Sequence, residues 1–158
     1  MLVYVNRDIT TVSKGIIAHG CNTQGVMGSG VALFLKNKYP QIFPRYREIC
    51  EDATETQTNE QLLGDVNFVV VAPNLIVANC FTQHLYGYDK GKYARPQAIE
   101  DSLATTYAMA SIFELDLYIP KIGAGRGGLN WNTDVEPIVK HLSTLDDKIH
   151  TYVCTWAE

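Results

Sequence analysis

Two glycine-rich stretches hold the residues of this sequence that are best suited to bind a ligand. The first stretch, residues 19–32, reads His-Gly-Cys-Asn-Thr-Gln-Gly-Val-Met-Gly-Ser-Gly-Val-Ala, and the second, residues 123–128, reads Gly-Ala-Gly-Arg-Gly-Gly. Glycine loses more conformational freedom on folding than any other residue, so such clusters indicate tight turns or a close approach to a ligand. Each stretch follows an apolar, strand-like run and precedes a helix-like run. Because unpaired amides and the positive end of a helix dipole meet at such a place, both stretches predict anion binding, above all of phosphate.

Two such stretches together suit a diphosphate. In open α/β sheets, ligands bind beyond the carboxyl ends of the strands, and both stretches lie at such ends. If the two strands are neighbours, the two loops face each other across one cleft.

Known nucleotide-binding motifs fit these stretches poorly. Neither stretch ends in Gly-Lys-Ser or Gly-Lys-Thr, which disfavours hydrolysis of a nucleoside triphosphate. The second stretch formally matches Gly-x-Gly-x-x-Gly, the fingerprint of dinucleotide binding. However, its helix begins about five residues too late and the acidic pair 146–147 precedes the next strand, so a dehydrogenase is disfavoured.

Three polar side chains near these stretches are candidates for chemistry or binding, and each also has a structural interpretation. His19 ends a strand-like run and titrates near neutral pH, so it could act as a general acid or base, or it could be a core histidine with satisfied hydrogen bonds. Asn22 could bind a ligand or take a left-handed backbone conformation beside the glycine turn. Asp8 could bind a ligand or simply occupy a turn or helix cap.

The composition is typical of one globular domain. Of the 158 residues, 46% are hydrophobic and 19% are charged, which favours a packed core over disorder. The net charge of -4 provides no basic field, so neither nucleic acid nor an anionic membrane is expected as a partner. The four cysteines form no Cys-x-x-Cys pair, and we expect buried thiols, no metal and no cofactor. The N-terminus lacks a charged leader and no long apolar span is present, so we expect a cytoplasmic protein.

The order of apolar runs predicts a three-layer α/β/α sandwich with a central mixed sheet, formed by residues 1–158 as a single domain. Strands are predicted at 2–5, 15–19, 66–72, 75–80, 115–120 and 149–154. Helices are predicted from near residue 30 to residue 39, and at 42–52, 96–113 and 133–142. Only Pro73 and Asn74 separate the third and fourth strands, a spacing that requires a hairpin.

The sequence as a whole resembles the macrodomains, a family of ADP-ribose-binding proteins. The resemblance rests on Asp8-Ile9 after a strand, on the 19–22 strand end, on the 25–32 loop, and on Pro-Lys-Ile-Gly-Ala-Gly at 120–125 ahead of Leu-Asn-Trp at 129–131. Each piece alone is common, whereas their combination in this order is specific. Within the family, the sequence is most similar to the yeast-type ADP-ribose 1''-phosphate phosphatases and the terminal ADP-ribose glycohydrolases.

The resemblance implies a set of ADP-ribose-binding residues. Asp8 would accept a hydrogen bond from the adenine amino group, the amide of Ile9 would help to read the ring, and Asn22 would hold the distal ribose hydroxyls. Amides of the first stretch would hold the distal phosphate: Gly28, Ser29, Gly30 and Val31. The second stretch would hold the other side of the pyrophosphate: Gly123, Ala124, Gly125, Arg126 and Gly127. Thr82, Gln83 and Tyr86 would line a lid.

The implied activity is hydrolysis of ADP-ribose 1''-phosphate to ADP-ribose and phosphate. His19 and Asn22 would be the catalytic residues, because phosphatase-like relatives carry a histidine at the position of His19, close to the distal ribose. Lys90, Lys92 and Arg126 would meet the extra terminal phosphate. The partner would be a small-molecule ADP-ribose derivative or an ADP-ribosylated protein, bound by a monomer.

Two alternatives to the phosphatase remain open. One is a non-catalytic module that reads free or protein-attached ADP-ribose. The other is a hydrolase that removes ADP-ribosyl groups from protein or the acetyl group from O-acetyl-ADP-ribose. The glycohydrolases of the family use a loop aspartate, and its position is Gly127 in this sequence. The resemblance therefore disfavours this hydrolase, above all the removal of ADP-ribosyl groups.

Overall fold

The computed structural model describes residues 1–87 and 91–156, and these residues form one mixed sheet with helices on both faces. The strands are β1 (Leu2–Val5), β2 (Gly15–Asn22), β3 (Val66–Ala72), β4 (Leu75–Gln83), β5 (Leu117–Ile119) and β6 (Thr151–Cys154). The α-helices are α1 (Gly30–Lys38), α2 (Pro44–Glu55), α3 (Pro96–Phe113) and α4 (Glu136–Ser143). Short helical turns lie at Ile9–Thr11, Pro40–Ile42, Asn59–Leu62 and Trp131–Val135.

The strand order is β1-β6-β5-β2-β4-β3. Every neighbouring pair is parallel except β3 and β4, which form the predicted antiparallel hairpin. The carboxyl ends of β1, β6, β5, β2 and β4 therefore meet at one edge of the sheet, which is where ligands bind in sheets of this kind.

Two hydrophobic cores lie on the two faces of the sheet. One face of β2, with Ile16 and Ala18, packs in a core that includes residues of α3 and α4. The other face, with Ile17, packs against residues of α1 and α2 such as Leu35 and Tyr46. Because β2 is covered on both faces, its sequence is a continuous apolar run. The predicted three-layer α/β/α sandwich with a mixed central sheet is thereby confirmed.

Strand β2 is longer than its apolar run predicts. It continues through Gly20 and Cys21 to Asn22, because β4 offers partners for these residues as far as Gln83. The prediction that His19 ends the strand is therefore wrong. Backbone pairing with a distant segment, which no local pattern reveals, extends the strand through Gly20 and Asn22, two residue types of low strand propensity.

None of the helices in the described part of the chain is both long and apolar enough to cross a membrane.

Candidate ligand cavity

A cavity of about 540 Å³ opens at the edge of the sheet where the parallel strands end. Two of its walls come from the glycine-rich stretches: loop A (residues 22–30) is the middle part of the first stretch, and loop B (residues 123–128) is the second stretch. Loop A follows β2 and loop B follows β5, and these two strands are hydrogen-bonded neighbours. The two loops therefore face one cavity, as the sequence predicts for neighbouring strands.

The side chain of Asn22 fixes the conformation of loop A. Its Nδ2 donates to the carbonyl of Val26 at 2.8 Å, while its Oδ1 accepts from the amide of Gln24 at 2.9 Å and from the Tyr46 hydroxyl at 2.9 Å. Asn22 has extended backbone at the end of β2 and is absent from the residues with positive φ. The left-handed interpretation of Asn22 is therefore wrong, and the residue instead ties the loop together while lining the cavity.

Helix α1 starts at the cavity. Gly28, Ser29, Gly30 and Val31 all line it, and Gly30 has a φ of +61°, which favours glycine. The Ser29 side chain makes no capping hydrogen bond, and the first turn contains no carboxylate. The first amides of a helix lack intrahelical acceptors, so this end of α1 offers donors and a positive dipole to an anion.

Loop B is folded against the segment that leads into α3. The Gly127 carbonyl accepts from the amides of Tyr93 and Ala94 at 2.9 and 3.0 Å. A Cβ atom at Gly127 would lie 2.6 Å from the Gly123 carbonyl oxygen and 2.8 Å from the Ala94 Cβ. No side chain fits at Gly127 in this backbone. The predicted binding residues of this loop, 123–127, all line the cavity.

His19 is buried under the cavity, with 1% of its surface exposed. Its Nε2 lies 2.6 Å from Oδ1 of Asn79, whose Nδ2 donates to the Ile42 carbonyl and to Oδ1 of Asn67. Because the Asn79 amide group already donates elsewhere, His19 Nε2 is the donor in this pair. Burial lowers the pKa of His19 to about 4, against the smaller opposing effect of the bond to Asn79.

At neutral pH, His19 is therefore an uncharged ring with one nitrogen held in a core network. The interpretation of His19 as a core histidine with a satisfied hydrogen bond agrees with this geometry. Its catalytic role stays a prediction, and so does that of Asn22.

Asp8 and Ile9 lie at the same edge of the sheet, next to the end of β1, but outside the cavity lining. Oδ1 of Asp8 accepts from the amide and the hydroxyl of Thr10, at 2.9 and 2.8 Å, and so caps the Ile9–Thr11 turn. Ile9 is buried. The cap interpretation of Asp8 is confirmed, while contact of Asp8 and Ile9 with adenine stays a prediction.

The end of β4 supplies the third wall of the cavity, through Thr82 and Gln83, followed by Tyr86. Thr82 is buried, and Tyr86 is half exposed. Arg126 of loop B is exposed and lines the cavity, whereas Lys92 is exposed and lies outside the lining. Lys90 falls outside the described residues.

Sequence reasoning missed lining residues on either side of the predicted ones, above all Gly20 and Lys121. Lys121 follows β5 directly and is part of the quoted 120–125 segment, so its place at the carboxyl end of a strand was the available signal. Among the described lining residues, Lys121 and Arg126 are cationic and none is an aspartate or glutamate. The described part of the chain contains no cluster of histidine, cysteine and carboxylate side chains that could hold a metal ion.

Fold and site together define a class: an α/β/α domain in which the glycine-rich loops after two neighbouring parallel strands line one cavity. Comparison with known proteins narrows this class. No protein-family model matches the sequence. The ADP-ribose 1''-phosphate phosphatase of Candida albicans is 26% identical over 162 residues, which cover 95% of this chain and 99% of that protein.

Two further relatives complete the comparison. A DNA ADP-ribosyl glycohydrolase of Mycobacterium tuberculosis is 25% identical over 93% of this chain, which spans only 40% of that longer protein. Among solved structures, a macrodomain protein from Streptomyces coelicolor is 32% identical with a TM-score of 0.78, covering 97% of this chain and 98% of that one. The chain belongs to the macrodomain family.

Proposed function

We propose that this protein binds ADP-ribose in the cavity between loops A and B and hydrolyses ADP-ribose 1''-phosphate to ADP-ribose and inorganic phosphate. The observation that carries the proposal is the pairing of two amide-rich loops across a cavity whose described lining has cations and no carboxylate. Such a lining favours a ligand with several negative charges, and a diphosphate with a third phosphate at its end meets that description.

The strand order supports one orientation of the ligand. Asp8 follows β1 at one side of the sheet, and loops B and A follow the central strands β5 and β2. Thr82 lies one residue before the end of β4, on the other side. With adenine near Asp8 and the diphosphate between the loops, the distal ribose lies near Asn22 and the end of β4.

The chemistry that this lining supports is electrostatic. A water molecule attacks the phosphorus of the 1''-phosphate, the bond between phosphorus and the ribose oxygen breaks, and ADP-ribose leaves as the alcohol after taking up a proton. Phosphoryl transfer depends mainly on positioning and on stabilising charge in the transition state. The amides at the start of α1, with Lys121 and Arg126, supply that stabilisation in our proposal. The neutral His19 ring, bonded to Asn79, supports a positioning role for His19 rather than proton transfer.

A second candidate function is that of a non-catalytic ADP-ribose reader. The low pKa of the buried His19 favours it, because His19 cannot supply a proton at neutral pH. The M. tuberculosis relative is named as a DNA ADP-ribosyl glycohydrolase. Removal of ADP-ribosyl groups from DNA has less support as the activity of the present chain. Glycosidic bond hydrolysis commonly uses carboxylates, and the described lining contains none.

Two assays that compare the wild type with one variant test the proposal. Calorimetric titration with ADP-ribose measures binding, and phosphate release from ADP-ribose 1''-phosphate measures turnover. The variant Gly125→Val suits both assays, because a Cβ atom at Gly125 meets no atom within 4 Å and the fold should be undisturbed. We expect the wild type to bind ADP-ribose and to release phosphate, and we expect the variant to lose at least tenfold in affinity, roughly 1.4 kcal/mol.

The outcomes separate the candidates. Binding without phosphate release establishes a reader and ends the phosphatase proposal. Absence of binding at millimolar ADP-ribose contradicts both candidates. Release of phosphate at equal rates by the wild type and by Gly125→Val would place the activity outside this cavity.

A further inference from the structure

We propose that His84 is a positioning residue that fastens loop A to the segment after β4, so that two walls of the cavity are in place before ADP-ribose binds. The inference rests on the proposed function. His84 follows β4 directly and lies outside the cavity lining, whereas Tyr86 and Gly87, two and three residues later, belong to that lining. His84 therefore lies at the base of one wall, beside the base of loop A.

The His84 side chain reaches loop A at Thr23. Nδ1 of His84 lies 2.7 Å from Oγ1 of Thr23, and Nε2 of Gln24 donates to the His84 carbonyl at 3.1 Å. Thr23 is buried, and its carbonyl accepts from Nδ2 of Asn59 at 2.9 Å. The ring thus contacts a part of loop A that is also held from another side.

This contact continues the connection between two strands beyond the sheet. The backbone pairing of β2 with β4 ends at Asn22 and Gln83. Thr23 and His84 are the next residue on each chain, and here a side-chain contact takes the place of the backbone ladder. Both chains then turn away to form walls of the cavity, so their starting separation depends on this contact.

The hydrogen atoms have one consistent assignment. Gln24 supplies a hydrogen to the His84 carbonyl, so the single hydroxyl hydrogen of Thr23 is available for Nδ1, the closer acceptor. The ring hydrogen then lies on Nε2, which faces Oε1 of Glu60 at 3.8 Å. The other carboxylate oxygen of Glu60 pairs with Arg95, next to the start of α3. A neutral His84 therefore satisfies a buried hydroxyl on one side and faces a carboxylate on the other.

The consequence for the ligand is preorganisation. A wall that is ordered before binding loses less conformational entropy when the ligand arrives, and this difference appears as affinity. Removing the Thr23–His84 contact should therefore weaken binding even though His84 lies outside the cavity lining.

The test compares two variants of similar shape in the full chain. His84→Asn places an amide oxygen where Nδ1 lies and can accept from Thr23, whereas His84→Leu branches at the same atom and accepts no hydrogen bond. Glu60→Gln is the control, because it removes the charge on the other side of the ring and leaves the Thr23 contact. Calorimetric titration measures ADP-ribose affinity. NMR without ligand measures hydrogen exchange at the amides of Gln24 and Val26, both of which donate to Oδ1 of Asn22.

We expect His84→Leu to bind ADP-ribose about tenfold more weakly and the two loop amides to exchange about tenfold faster, because the local opening of loop A becomes easier. His84→Asn should remain within threefold of the wild type in both measurements. Glu60→Gln should change either value less than twofold, since exposed ion pairs contribute little. Rescue by asparagine identifies the acceptor on the ring, which a histidine that merely fills space would not show.

Other results overturn the inference. It is wrong if His84→Leu binds and exchanges as the wild type does, or if the asparagine and leucine variants lose affinity equally. A loss in Glu60→Gln as large as that in His84→Leu would assign the effect to the ion pair, and weaker binding with unchanged exchange would contradict positioning through loop A. A wild type that does not bind ADP-ribose would refute the proposed function, while the exchange rates would still decide whether His84 fastens loop A.

Discussion

His19 illustrates how burial changes the chemistry of a residue type. In water an imidazole titrates near neutral pH and can transfer protons. Here the ring is enclosed between the sheet and the helices on one face, and desolvation lowers its pKa to about 4. The same residue that the sequence suggests as a catalyst is thus an uncharged part of a core network with Asn79.

A pH-dependent stability follows at the residue scale. Unfolding returns the pKa of His19 to about 6.5, so the unfolded chain binds more protons between about pH 4 and pH 6.5 and the native state loses stability as pH falls through this window. The shift corresponds to roughly 3 kcal/mol. Urea unfolding at several pH values should show this dependence, and His19→Gln, whose amide can still donate to Asn79, should have a shallower one. If the free energy of unfolding depended on pH equally in the wild type and in His19→Gln, the interpretation of His19 as a buried neutral ring would be wrong.

Loop B shows at the scale of an element why glycines of one stretch are not equivalent. Gly127 packs against Gly123 and Ala94, whereas Gly125 faces open space. The backbone at Gly127 leaves no room for a side chain, whereas the backbone at Gly125 has room for one at the cavity lining. An acidic side chain at Gly127 is incompatible with this backbone.

The two alanine variants of loop B form a matched pair. We expect Gly127→Ala to lower the free energy of unfolding by about 1–3 kcal/mol, because its Cβ atom overlaps the Gly123 carbonyl oxygen and forces the backbone to move. Gly125→Ala should change stability by less than about 0.5 kcal/mol. Chemical denaturation measures both values, and equal effects would show that the loop is not packed as described.

At the scale of the whole molecule, the sheet joins all parts of the site. The walls of the cavity come from segments after β2, β4 and β5, which are far apart in the chain and adjacent in the sheet. Both cores pack on the same sheet, so the site and the cores should lose their structure together.

Calorimetry tests this coupling. We expect one unfolding transition for residues 1–158, since small single domains usually unfold cooperatively. ADP-ribose at a hundredfold excess over its Kd should stabilise the protein by about 2.7 kcal/mol, which raises the melting temperature by roughly 5–10 °C for a domain of this size. Gly125→Val should show a much smaller shift at the same concentration. Two transitions, or an equal shift in the variant, would contradict the prediction.

The sequence by itself determined the elements and located the two glycine-rich segments that line the cavity. Apolar runs, Pro73-Asn74 and Pro96 located the strands, the hairpin and the long helix, because these features act within a few residues of chain. The glycines of loops A and B were visible for the same reason: their backbone requirements are local. Residues 28–31 and 123–127 accordingly line one cavity, while their contact with ADP-ribose stays a prediction.

Tertiary structure alone decided how these segments meet. The pairing of β2 with both β4 and β5 brings loops A and B to one cavity, carries β2 past His19 to Asn22, and places Thr82 over Gly20. It also buries His19 beside Asn79, and the burial lowers the pKa of His19 below the value that its type alone would suggest, although the hydrogen bond to Asn79 opposes this shift. Contacts between distant segments depend on strand order and register, and a local pattern of residues determines neither of them.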